Sequence, residues 1–183
     1  MRTGADRAAA AALIDDRARW LTKHGVTLPS RHVAAYQDTR LEAIGLYKDD
    51  VPGQEPLIGC LLLNRRPIPH TGLAISEVPS MGISHLYTAP GRDDRIGRLI
   101  TLWISDFAAR TGKARVHAET PSRYWGSRDT AGRLLNHLSS LGWLITGTGI
   151  NQDRERVTRL QLDARDREGL AALIHCTISR HPG

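Results

Sequence analysis

A long amphipathic helix between two strand-like segments is the feature that most constrains how this chain folds. Its apolar side chains recur at helical spacing and form one wide face: Ile96, Leu99, Ile100, Trp103, Ile104, Phe107 and Ala108. Gly112 ends the helix, and strands are predicted on either side, over 81–88 and 114–120. A strand–helix–strand crossover is parallel and right-handed by default. The sequence therefore predicts an α/β fold built around this unit.

The rest of the chain adds antiparallel strands and flanking helices to that unit. Further strands are predicted over 42–48, 56–64, 143–147 and 157–162. Helices are predicted over 6–24 and 167–174, and a further helix is predicted to begin after Asp129 as its N-cap and to end at Gly142. A short helix or ordered loop is predicted over 33–41. A turn over 49–53 and a long loop over 65–80 complete the pattern. The fold class is mixed α/β, with a mostly antiparallel central sheet.

The composition is that of an ordinary globular protein. The 183 residues are 40% hydrophobic and 24% charged, which predicts a single domain over 1–183 with its own apolar core. No apolar run approaches the roughly 20 residues that span a bilayer, and the start of the sequence does not have the pattern of a signal peptide. Two cysteines make no disulfide framework, so a reducing cytoplasm is the expected location.

The chain is basic, with a formal net charge of +6 and a pI of about 9.9. This balance suits an anionic ligand, either a phosphate-bearing cofactor or a nucleic acid. The same excess of arginine is also compatible with a role in solubility alone. Charge by itself does not decide between these interpretations.

Charged residues crowd the start of the long helix: Arg92, Asp93, Asp94, Arg95 and Arg98. A helix N-terminus presents unsatisfied N–H groups and the positive end of the helix dipole, so it is suited to bind phosphate. Either aspartate is a suitable N-cap. The simpler alternative is a capped surface helix whose arginines pair with the aspartates.

The segment from residue 85 to residue 143 contains "YTAP", the charged start of a long helix, and then "ARVHAETP" and "GRLLNHLSSLGW". In these motifs it resembles the GNAT superfamily of acyl-CoA-dependent N-acyltransferases. Their signature is a strand ending near V-x-P, then (Q/R)-x-x-G-x-(G/A) opening a long helix. Here "YTAP" precedes Arg92-Asp93-Asp94-Arg95-Ile96-Gly97 and the helix "RLITLWISDFAARTG". The segments "ARVHAETP" and "GRLLNHLSSLGW" are similar to the family's next strand and to its helix ending in G-(F/W), and the order of elements matches over 5–163.

Two positions depart from the family's pattern. Arg95 stands where the signature has its first glycine, which lets the backbone approach the pyrophosphate closely. Many members also carry a tyrosine that protonates the leaving thiolate, four residues before the glycine of the last motif. In this sequence that position is Leu138. Ser139, His137 and Tyr124 are the candidate substitutes, unless the thiolate leaves without an acid.

Acyl transfer to an amine also needs a base or a water chain that takes the amine's proton. The candidates are His85, at the end of one strand, and His117 and Glu119, which share a face of the next. Ser84 has the opposite parity to His85, so strict alternation lets only one of the two face the substrate. Each candidate also has a structural alternative, as a packed histidine or a salt-bridged strand end.

The resemblance implies transfer of an acetyl group from acetyl-CoA to a primary amine of an unidentified acceptor. By the same resemblance, strands 81–88 and 114–120 splay to take the pantetheine arm, and backbone N–H groups of 92–98 hold the pyrophosphate. The cofactor-binding residues so implied are Leu86, Tyr87, Thr88, Arg92, Asp93, Asp94, Arg95, Ile96, Gly97 and Arg98. The catalytic candidates are His85, Glu119, Tyr124 and Ser139.

Two other functions stay open at this point. The same fold can hold CoA without turnover, and the high pI is compatible with a nucleic-acid-associated protein, although nucleic acid is the less expected partner. No histidine spacing resembles a zinc set, and the chain carries no P-loop and no dinucleotide-binding motif, so no metal is expected. Tyr124 and Trp125 either line an acceptor cleft or plug the edge of the core. The sequence also leaves a homodimer open.

Overall fold

The computed structural model of the chain describes residues 4–25, 31–38, 40–48, 56–65, 78–91, 95–121, 128–151 and 154–170. Across these residues four helices and six strands follow one another along the chain. They are α1 (Gly4–Lys23), α2 (Arg31–Gln37), β1 (Glu42–Tyr47), β2 (Leu57–Asn64), β3 (Ser80–Thr88), α3 (Arg95–Arg110), β4 (Arg115–Pro121), α4 (Arg128–Ser140), β5 (Leu144–Ile150) and β6 (Arg156–Asp163).

The six strands form one sheet in the order β1-β2-β3-β4-β6-β5. Neighbouring strands are antiparallel except β3 and β4, which are parallel and are joined through α3. This arrangement confirms the predicted fold class, a mixed and mostly antiparallel sheet around a strand–helix–strand unit. The parallel pair lies at the centre of the sheet, so the crossover helix covers the middle of one face.

Two apolar clusters sandwich the sheet. The apolar face of α3 packs on one side, with Leu135, Leu138 and Leu141 from α4 and the following turn against the same cluster. Helices α1 and α2 supply the other cluster, which includes Ile14, Tyr36 and Cys60. Strand β2 is buried from Ile58 to Leu63, because its "LIGCLLL" run contributes to both clusters.

Some predicted boundaries differ from the structure. Helix α4 begins at Arg128, so Asp129 lies inside its first turn and is not the N-cap. Strand β5 runs on to Ile150, well beyond the predicted end at residue 147. The described part of the predicted terminal helix, 167–170, contains no α-helix, and its remaining residues lie outside the described part of the chain. The turn over 49–53 and most of the loop over 65–80 also lie outside it.

None of the helices in the described ranges is long and apolar enough to cross a membrane. Within the same ranges, no three His, Cys, Asp or Glu side chains are grouped so that they could hold a metal ion.

The thiol of Cys60 reports directly on the packing of α2 against the sheet. Cys60 is 2% exposed, and burial raises the pKa of its thiol to about 11. Because thiolate is the reactive form, the native thiol is nearly unreactive at pH 8 and becomes more reactive as the pH rises towards 11. In a Cys176→Ser chain, we expect alkylation by iodoacetamide at pH 8 to be at least about 100-fold slower in the native protein than in urea. Equal rates in the two states would contradict the burial of Cys60.

Candidate active site

The central parallel pair of strands separates part of the way along its length. Backbone pairing between β3 and β4 runs from Ser80 and Arg115 to Ile83 and Ala118, where it ends. Beyond that point, β3 pairs with β2 up to Thr88 and β4 pairs with β6 up to Pro121. Each strand therefore stays hydrogen-bonded to its outer neighbour, while the edges of β3 and β4 that face each other are no longer paired. We call this opening the fork; its edges present backbone groups that an extended ligand can bind.

A β-bulge lies on the β3 side of the fork. Leu62 pairs with Ser84 while Cys60 pairs with Tyr87, so the two residues 85 and 86 stand opposite one residue of β2. His85 has a φ of 51°, in the left-handed region that few residues other than glycine adopt. The extra residue reverses the alternation of β3, and Tyr87 consequently packs in the cluster under α1 and α2.

The bulge overturns the expectation that Ser84 and His85 point to opposite faces. The Oγ of Ser84 lies 3.0 Å from Nδ1 of His85, within hydrogen-bond distance. Strict alternation holds only for regular strand backbone, and the left-handed residue breaks it here. Both side chains therefore lie together on the β3 side of the fork.

Helix α2 holds the bulge through two of its side chains. The hydroxyl of Tyr36 donates a 2.5 Å hydrogen bond to the backbone carbonyl of His85. The Nδ1 atom of His32 is hydrogen-bonded to the hydroxyl of Tyr87, and the His32 ring lies edge-on to that of His85, with centroids 4.8 Å apart. Burial raises the pKa of Tyr36 far above its ordinary value, so this hydroxyl remains a donor.

Neither α2 residue was singled out by the sequence analysis. The one sequence feature that could have indicated them is their spacing of i and i+4, which places His32 and Tyr36 on one face of α2. It does not reveal that this face meets a bulge, because the bulge itself leaves no clear mark in the sequence of β3.

Glu119 and Arg159 occupy the β4 side of the fork. Val116 and Ala118 belong to the cluster under α3, so alternation places His117 and Glu119 on the opposite face of β4. Glu119 is the first residue of β4 beyond the end of the β3–β4 pairing and stands directly opposite Arg159 of β6. The Nε atom of Arg159 lies 3.5 Å from Oε1 of Glu119. One of the three candidate bases, Glu119, is therefore an ion-paired carboxylate at the fork.

The first turn of α3 meets a histidine of α4. The helix begins at Arg95, and a Cβ built on Gly97 would lie 3.9 Å from Nε2 of His137. Ser139 is exposed and, two residues further along α4, points about 200° away from His137 around the helix. Of the two substitutes for the missing tyrosine on α4, His137 is the one placed against α3.

The other implied cofactor residues have different positions. Leu86 is 41% exposed beside the fork, Thr88 pairs with Gly59, and the side chain of Tyr87 is turned into the cluster under α2. Ile96 is buried in the core, so only its backbone can meet a ligand. Arg98 lines a cleft of about 370 Å³ between α3 and α4, together with Thr101, Leu102, Ser140 and Leu141. The positions that lie outside the described residues are Arg92, Asp93, Asp94, the side chain of Arg95, Tyr124 and Trp125.

Comparison of the whole architecture with solved structures gives consistent matches. The ribosomal-protein-S18-alanine N-acetyltransferase of Escherichia coli is 14% identical, with a TM-score of 0.56 over 91% of this chain and 94% of that one. An N-acetyltransferase from Staphylococcus aureus Mu50 is 16% identical, with a TM-score of 0.55 over 88% and 94%. These are enzymes of the family that the sequence resembles. The chain has the GNAT fold.

A third structure with the GNAT fold carries a ligand. The yncA protein of Salmonella typhimurium, solved with its cofactor acetyl-CoA, is 16% identical, with a TM-score of 0.50 over 89% of this chain and 92% of that one. No protein-family model matches the chain, and no curated protein matches it. The assignment to the GNAT fold therefore rests on the match of the whole architecture to these solved structures.

Proposed function

We propose that the chain is an acetyl-CoA-dependent N-acetyltransferase formed by one domain over 1–183, with a primary amine as the acceptor. The observation that carries the proposal is the fork between β3 and β4, with α3 as the connection between the two strands. The yncA protein, which shares this fold, supports acetyl-CoA as the donor.

The cofactor would occupy the fork and the start of α3. The unpaired inner edges of β3 and β4 would bind the amide groups of the pantetheine arm as a strand-like ligand. The backbone N–H groups of 92–98 would hold the pyrophosphate at the positive end of the helix dipole, with the side chains of Arg92, Arg95 and Arg98 adding positive charge. Arg98 is exposed and lines the cleft between α3 and α4.

The chemistry requires one proton to leave the amine and one to reach the sulfur. The neutral amine attacks the thioester carbonyl, a C–N bond forms, the C–S bond breaks and CoA leaves as a thiolate. We assign His85 as the base, because it lies on the fork and its ring is held by Ser84, while Tyr36 holds its backbone. No described side chain is assigned as the acid: the imidazole of His137 lies against the first turn of α3, where the pyrophosphate is proposed to bind, and the pantetheine arm separates that group from the sulfur. The thiolate takes its proton from Tyr124 or from water.

Acetyl-CoA binding followed by thiol release tests the proposal. We expect acetyl-CoA to raise the melting temperature and a primary-amine panel to release free CoA. Because Arg92→Ala/Arg95→Ala removes two charges near the pyrophosphate, it is expected to weaken acetyl-CoA binding about tenfold or more. Arg65→Ala, which removes an arginine that packs over Phe107 near the other end of α3, is expected to leave the binding unchanged. Binding without thiol release would identify a CoA-binding module. Salt-dependent binding of RNA or DNA with no effect of acetyl-CoA would contradict both functions.

A further inference from the structure

In the part of the chain that the structure describes, the Nε atom of Arg159 is buried without the hydrogen bond that usually accompanies burial. Its side chain is 12% exposed, and within the described residues its Nε atom makes no hydrogen bond. Glu119 compensates its charge at 3.5 Å but does not satisfy Nε. Buried polar groups are normally hydrogen-bonded, so an arginine held in this state calls for an explanation.

Strand β5 is shaped to seat this guanidinium. Gly147 stands opposite Arg159 in the β5–β6 ladder, and a Cβ built on Gly149 would lie 2.6 Å from Nη2 and 2.7 Å from Cζ of Arg159. Any other residue at position 149 would push the group away. The "TGTG" segment of β5 therefore leaves the space in which the guanidinium lies flat on the strand.

The negatively charged side chain of Glu119 lies next to the fork, and the positively charged side chain of Arg159 lies further from it across the sheet. Glu119 is on β4, beside the fork, and Arg159 is on β6, one strand spacing of about 4.8 Å further away. The two charged side chains are thus arranged as the complement of a zwitterion whose ammonium faces the fork.

We infer that the acceptor is an amine that also carries a carboxylate, with Glu119 binding its ammonium group and Arg159 binding its carboxylate. This inference rests on the proposed function. A planar guanidinium binds carboxylates bidentately, and the Nε atom of Arg159 lacks a hydrogen bond within the described residues. A phosphate fits less well, because its second negative charge would face Glu119 at close range.

Matched ligands that differ only in the carboxylate test the inference without requiring turnover. Glycine, β-alanine, L-methionine and L-phenylalanine are each compared with the corresponding amide by calorimetry, with and without CoA. We expect at least one amino acid to bind about tenfold or more tightly than its amide. Arg159→Lys and Arg159→Gln should abolish this preference, because neither side chain can bind a carboxylate bidentately as a guanidinium does. Arg156→Gln, an exposed position on the same strand, should preserve it.

Glu119→Gln provides a second, independent readout. It should weaken the amino acid and its amide to a similar extent, because both ligands carry the ammonium group that Glu119 binds. Equal binding of acids and amides, absence of binding by every amino acid, or a preference that survives in folded Arg159→Gln would overturn the inference. Carboxylate-dependent binding without thiol release would uphold the binding roles of Glu119 and Arg159, but it would refute the proposed acetyl transfer and with it the role of the ligand as acceptor. Thiol release with the amides as fast as with the amino acids would refute it and leave acetyl transfer intact.

Discussion

Replacing Gly97 with glutamate is expected to lower the affinity for acetyl-CoA about 100-fold while the protein stays folded. Gly97 lies in the first turn of α3, which begins at Arg95. A carboxylate in the first turn of a helix is favourable for the helix itself, and glutamate is a better helix former than glycine. The same carboxylate would stand where the proposed pyrophosphate binds. A 100-fold loss corresponds to about 2.7 kcal/mol, within reach of one repulsive charge in a partly desolvated site.

Gly97→Ala is the matched control for this charge. Its Cβ would make an ordinary contact with His137 at 3.9 Å, so nothing needs to move. Removing a glycine from a helix should stabilise the protein by up to about 1 kcal/mol, and acetyl-CoA affinity should change less than about threefold. Calorimetric titration of acetyl-CoA and thermal unfolding measure both quantities. If the glutamate variant binds acetyl-CoA as tightly as the alanine variant, the start of α3 is not where the pyrophosphate sits.

The architecture was predictable because its signals are periodic. The apolar face that begins at Ile96 and repeats to Ala108 could only be a buried helix, and a helix between two strands makes those strands parallel. The fully apolar run of β2 likewise required a central strand covered on both faces. These patterns extend over many residues, so they survive local irregularities.

The site was less predictable because it depends on irregular backbone and on contacts between distant parts of the chain. Parity arguments failed at Ser84 and His85, since one extra residue in β3 reverses every side chain that follows. His32 is hydrogen-bonded to Tyr87, which lies 55 residues further along the chain. The guanidinium of Arg159 occupies space that only a glycine at position 149 of the neighbouring strand leaves open. No local pattern encodes either pairing. The sequence named Glu119 as one of three candidate bases, but only the register placed it beside Arg159 at the fork.

Replacing His85 with asparagine is expected to lower kcat about 10²- to 10⁴-fold with little change in the KM for acetyl-CoA. General bases contribute rate factors of this size, and the proposed role of His85 is to take the proton of the amine. Asparagine is chosen because it tolerates the left-handed backbone, with φ of 51°, that His85 adopts in the bulge. The bulge should therefore persist, and the carbonyl of residue 85 can still accept the hydrogen bond from Tyr36.

Two control variants separate the imidazole from the backbone that carries it. Tyr36→Phe keeps the imidazole but removes the bond that holds the carbonyl of His85, so it should lower kcat only about three- to tenfold and cost about 1 kcal/mol in stability. Ser84→Ala removes the hydroxyl next to Nδ1 and should also have a modest effect. Steady-state thiol release and thermal unfolding distinguish the three variants. Should His85→Asn retain the wild-type kcat, His85 is not the base, and the proton leaves through Glu119 or His117 on β4 or through a water chain.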